Sequence, residues 1–149
     1  ATGEDPVAFA QRNLFGPIGL GYPSTEVSWL RDGAGNPTMY DGVQLGCRGL
    51  ARMAYLWMNN GSWAGKQVVS AEFVRSSVSN STPLNDAYGY LWWLGKRGHY
   101  VLPSSSSWPW GRREGEGTAI PGVDADAAMM LGANGQFAIA QPSRRLVIT

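Results

Sequence analysis

The chain has 149 residues, the length of one ordinary domain. Gly 20 and Pro 9 together make about 19% of it, below the roughly 25–30% of a low-complexity disordered chain, and seven Trp and six Tyr supply the apolar area of a core. Lys+Arg 12 against Asp+Glu 11 leaves a net charge of +1, which gives no field to hold a phosphate backbone and excludes a dedicated nucleic-acid binder.

The longest apolar run, Ala127 to Leu131, is far short of the ~20 residues of a membrane helix, so no membrane span is expected. No basic stretch followed by an apolar core opens the chain. One cysteine, Cys47, excludes an internal disulfide. One histidine, His99, leaves a single candidate for a histidine-based triad and makes a metal site or other cofactor unexpected.

In chain order, Asp5 and Pro6 predict the start of a helix that carries Val7, Ala10 and Leu14 on one face and stops at Gly16-Pro17. Glu26 to Leu30 suits a short strand, and Asp32 to Pro37 a turn. The clearest helix runs from about Cys47 to Asn60, with Leu50, Met53, Ala54 and Trp57 as its apolar stripe and Asn60-Gly61 as a left-handed stop. Trp63 to Gln67 is a tight turn, and Ser70 caps a further helix to about Val78, with Glu72 in its first turn.

From Tyr88 to Leu94 the residues predict a buried aromatic strand. Gly95 to about Asp126 carries few regular signals and is expected as a long loop holding Trp108 and Trp110. Ala127–Leu131, Gly135–Gln141 and Leu146–Thr149 follow as strands, the last two joined as a hairpin through Pro142 to Arg145. The opening on a cap and helix, and the close inside an apolar strand, suggest that both ends are cut within a domain.

Tested singly, the motifs are weak. Gly61-Ser62-Trp63-Ala64-Gly65-Lys66-Gln67 has three residues where a phosphate-cradling loop needs four, and Gln in place of its hydroxyl residue. No serine stands between two glycines in the pattern of a nucleophile elbow. Asp124-x-Asp126 lacks the later ligands of a calcium loop, and Glu114-x-Glu116 reads either as an acid/base pair or as solvated loop charge. His99 has no marked acid partner, and Cys47 reads as a small core residue before it reads as a reactive thiol. Trp108 and Trp110 suit either a stacking surface for a sugar or a flap over the core.

The order of segments carries more. Phe9 to Leu20 resembles the helix followed by Leu-Phe-x-Pro-Leu-Gly-Met of the serine β-lactamase-like hydrolases, and Leu50 to Trp63 is similar to their Leu-Ala-Arg-Phe-Gly-x-Leu-x-Leu-x-x-Gly helix. Gly65 to Val74 stands where that family has its next turn and helix, Tyr88 to Trp93 matches its Tyr-Gly-Tyr-x-Trp-Trp segment, and Gly132 to Phe137 its late glycine strand. Five blocks in the expected order span nearly the whole chain. The superfamily includes class C β-lactamases, D-alanyl-D-alanine peptidases, esterases and nylon-oligomer hydrolases, and the last block is most like the esterase and nylon-oligomer branch.

That resemblance implies an α+β fold, an antiparallel sheet flanked by helices with a helical subdomain. Residues 1–149 would be its C-terminal portion, with 1–87 mainly helical and 88–149 holding the sheet strands around a loop near 95–126. It implies acyl transfer on a small amide or ester through an acyl-enzyme, with no cofactor. In the family a Ser attacks the carbonyl, a Lys three residues on takes its proton, and a Tyr assists. Neither Ser-x-x-Lys nor Tyr-x-Asn occurs here, so the nucleophile would lie on another segment or a second chain.

By resemblance, the backbone N–H of Ala133 would be one oxyanion donor. Gly132, Asn134 and Gly135, with Trp108 and Trp110, would border the substrate cleft, although the glycines equally suit a strand bulge. Either a cytoplasmic or an extracytoplasmic bacterial setting fits. Two rivals from other classes are an aromatic-lined glycan or peptidoglycan-binding module and a non-catalytic scaffold.

Overall fold

Asp5 caps the first helix as its position predicts: its carboxylate accepts the backbone N–H of Val7 at 2.9 Å and of Ala8 at 3.1 Å. The computed structural model describes residues 3–21, 27–39, 41–103, 114–132 and 135–149. Helix α1 (Pro6–Ala10) passes into one wider π-helical segment, Gln11–Phe15, before the Gly16-Pro17 stop. The segment drives Phe15, Ile18 and Leu20 into a cluster with Val27 and Leu56.

Strands β1 (Val27–Trp29) and β2 (Val43–Leu45) pair antiparallel, with Ser28 opposite Gln44. Between them, the Asp32 carboxylate accepts the N–H groups of Ala34 and Asn36, which folds the expected turn. Helix α2 (Cys47–Met58) ends where Asn60 and Gly61 take φ of 52° and 78°. Strands β3 (Ser62–Trp63) and β4 (Lys66–Gln67) form a hairpin on Ala64 and Gly65, both at positive φ as a type I′ turn requires. The Ser70 hydroxyl then caps helix α3 (Ala71–Ser77) by accepting the Phe73 N–H.

The main sheet is antiparallel in the order β10 (Leu146–Ile148), β9 (Phe137–Gln141), β8 (Ala128–Leu131), β5 (Trp93–Leu94). Alternate side chains leave it on opposite faces. Ala138 and Ala140 meet Ala54 of α2, joined by Leu50, Met130 and Val147. On the other face Met129 and Trp93 bury with Ala87, Leu102, Ala119 and Ile120, and Ile139 and Leu131 pack onto that cluster. Both faces are covered, which is why Ala127 to Leu131 is apolar throughout rather than alternating. The molecule is a mixed α and β structure of small antiparallel sheets and three helices among the described residues, and none of those helices is long and apolar enough to cross a membrane.

Several expectations are corrected. The aromatic strand 88–94 shrinks to Trp93–Leu94 plus one bridge from Tyr88 to Trp93. Gly89 to Trp92 turns instead, because the Gly89 N–H donates to the Trp92 carbonyl and the Tyr90 N–H to the Ser77 carbonyl at the end of α3. Tyr90 and Leu91 are therefore exposed, while Trp92 is buried against Trp57.

The stretch 95–126 holds two strands, β6 (Arg97–Val101) and β7 (Glu114–Thr118), paired antiparallel. Glu-Gly-Glu-Gly-Thr has little β-propensity of its own, so the partner strand and the packing of Tyr100 over Gly115 supply what the local residues lack. The α2 stripe is also wider than expected. Leu56 lies outside it and is fully buried, since α2 is wedged between the sheet and the N-terminal cluster.

Candidate active-site cleft

Three elements frame an open cleft of about 1220 Å³. The β1–β2 ribbon and its connection form one wall, through Ser28, Leu30, Met39, Val43 and Gln44. The floor is the start of α2, at Gly46, Cys47 and Leu50. The far wall is the connection from β8 to β9 and the end of β10, with Gly132, Gly135, Gln136, Phe137 and Thr149.

Local chemistry fixes each wall. The Ser28 hydroxyl donates to the Gln44 side-chain oxygen at 2.7 Å, so these cross-strand partners hold each other. Gly42 sits at φ 88° and its carbonyl accepts the Leu30 N–H at 2.9 Å; a Cβ there would run into the Thr38 hydroxyl. Trp29 donates its ring N–H to the Thr38 carbonyl, which ties the connection to the ribbon. At the far wall the Gly132 N–H donates to the Gln136 carbonyl at 2.8 Å and closes the β8–β9 connection.

Of the sequence-expected site residues, Gly132 and Gly135 both stand on the cleft. Ala133, Asn134, Trp108 and Trp110 lie outside the described residues. Ser28, Gln44, Gln136 and Phe137 line the cleft and were not singled out by the sequence. The β1–β2 pairing is the signal that would have found the first two, since it places Ser28 and Gln44 opposite each other. Cys47 is corrected: it is exposed and faces the cleft rather than the core, because it opens α2 one residue after Gly46.

His99 and the two glutamates are corrected as well. Cross-strand pairing sets His99 opposite Glu116, with Nδ1 3.4 Å from its carboxylate and Nε2 3.8 Å from Glu114. The acid partners are thus strand residues, on an exposed face apart from the cleft. Asp124 and Asp126 do structural work: Asp124 accepts Arg144 and Gln141, and Asp126 accepts the Ser143 N–H, which pins the approach to β8 against the β9–β10 turn. Among the described residues no group of three or more His, Cys, Asp or Glu is placed to hold a metal ion.

A second hollow of about 150 Å³ lies between α2 and α3, beside Trp57, Val74, Val78 and Asp126, and does not include the glycine connection. No protein-family model matches this chain, and no curated protein matches it.

Chemically, the cleft offers a glycine-bordered strand connection, a neutral polar pair and an accessible thiol. Asp41 is the one charged side chain among its described lining residues.

Proposed function

We propose that this chain is the C-terminal part of a β-lactamase-like serine hydrolase that cleaves an amide or ester through an acyl-enzyme. One observation carries the reading: Gly132, Gly135 and Gln136, at the junction of β8 and β9, line an open cleft of about 1220 Å³. A strand bordered by glycines lets a substrate carbonyl approach the backbone closely, and in this reading the Ala133 N–H receives the developing oxyanion. The attacking Ser and its Lys come from another segment or a second chain, since Ser-x-x-Lys does not occur in residues 1–149.

Removing a nucleophile and its base costs on the order of 10⁶ in rate in a serine hydrolase, so the chain alone turns over no substrate. The measurement is intact mass after incubation with p-nitrophenyl butyrate, using Cys47→Ser to remove thiol background. The expected result is no butyryl adduct on the chain alone. Adding the segment or co-purifying chain that carries Ser-x-x-Lys should produce one butyryl adduct, located on that Ser. A stoichiometric adduct on this chain by itself overturns the reading.

A further inference from the structure

The walls of the cleft carry a chemistry of their own. Leu30, Met39, Val43 and Phe137 are all large apolar side chains left exposed, Met39 at 66% and Leu30 at 50%, and all four line this one cleft. Water on that much apolar surface is displaced favourably by an apolar ligand. The polar lining is neutral where it is paired: Ser28 and Gln44 satisfy each other. Asp41 is the one charged lining residue among those described, and no cationic side chain is among them. A ligand carboxylate entering here would lose hydration and meet the Asp41 carboxylate, with no cationic side chain among the described lining residues to offset it.

We propose that the cleft takes a neutral aliphatic acyl chain, held by Leu30, Met39, Val43 and Phe137, and rejects an anionic one. This names the substrate class of the proposed hydrolase and rests on that reading for its catalytic meaning. The binding itself needs no nucleophile.

Cys47 provides the readout, being exposed, on the floor of the cleft and the one cysteine of the chain. Alkylation of Cys47 by iodoacetamide is followed by intact mass in the presence of butanamide, hexanamide, octanamide or hexanoate. Hexanamide should slow alkylation, and half-protection should come at concentrations up to about fourfold lower per added methylene. Hexanoate at neutral pH should need at least tenfold more than hexanamide.

Val43→Asp and Phe137→Ser should each raise the half-protecting octanamide concentration at least tenfold. Val43 is 39% and Phe137 38% exposed, so melting temperature is measured for each variant and the comparison uses those that keep a folded transition within about 10 °C of the parent. Equal protection by hexanoate, protection independent of chain length, or none from any amide overturns the proposal. A failed acylation with the complementing Ser segment sinks the hydrolase reading instead, and leaves amide protection of Cys47 as an independent result.

Discussion

Asp124 shows how single carboxylates anchor this molecule. The Arg144 guanidinium beside it, helped by Gln141 and Ser143, holds its carboxyl below the usual aspartate range. Asp5 is lowered in the same way by Arg31 and by the Ala8 N–H, and Asp32 by the backbone N–H of Asn36. A carboxyl lowered in the folded state stabilises the fold above its unfolded value and loses that contribution as the pH falls through its folded value. Thermal stability should therefore drop as the pH is lowered below the ordinary aspartate value of 3.8. Asp124→Asn should melt lower than the parent at pH 7, and the gap should close toward pH 2. A gap that stays constant across that range would show that Asp124 acts through its shape rather than its charge.

At the scale of elements, the stop after α2 is a tight joint. Gly61 holds φ 78°, its N–H donates to the Leu56 carbonyl, and its carbonyl accepts the N–H groups of Val68 and Val69. A Cβ at this position would run into the Val69 carbonyl. Gly61→Ala therefore combines a left-handed backbone with a backbone clash, and should cost about 2–4 kcal/mol in urea unfolding. A change under about 0.5 kcal/mol would mean that the β3–β4 hairpin can swing away from α2. A separate contact ties α2 to α3. Trp57 of α2 donates its ring N–H to the Ser77 hydroxyl of α3 at 2.8 Å, and that hydroxyl donates to the Val74 carbonyl. A half-buried polar pair of this kind adds direction to the spacing of two helices that apolar contact alone does not.

For the whole molecule, the seat of α2 on the sheet decides whether there is a cleft. Ala54, Ala138 and Ala140 meet with essentially no exposed surface, so helix and sheet approach at close range. Cys47 and Leu50 of that helix line the same cleft as Gly132 and Gly135. Ala138→Leu forces three extra carbons into a filled layer and should cost about 1–3 kcal/mol. It should also change the alkylation rate of Cys47 under native conditions, because the helix start moves relative to the β8–β9 connection. Loss of stability with an unchanged Cys47 rate would separate the layer from the cleft.

Much of the local structure is legible in the residues themselves. The Asp5 and Ser70 caps, the Asn60-Gly61 stop and the Pro142 to Arg145 hairpin turn depend on contacts within about four positions, and each forms where its residues predict. Gly132 and Gly135 were singled out by resemblance rather than by residue type, and the structure places both on the lining of the open cleft. Other features were hidden because they are made by distant partners. Glu114 to Thr118 becomes a strand through His99 and Tyr100, and Leu91 is turned outward by the hold of Ser77 on Tyr90.

Composition and periodicity by themselves determined the class of this chain: a folded mixture of helix and strand, near-neutral, with its helix ends and late strands in place. Only the tertiary structure decided that Cys47 is open to solvent, that His99 lies between two glutamates, and that a ribbon some ninety residues earlier faces the Gly132 connection across a cleft. The reason is the range of the forces involved. Caps and turns are set by hydrogen bonds between near neighbours. A cleft is the space left when separate apolar faces find each other, and no window of sequence contains both of its walls.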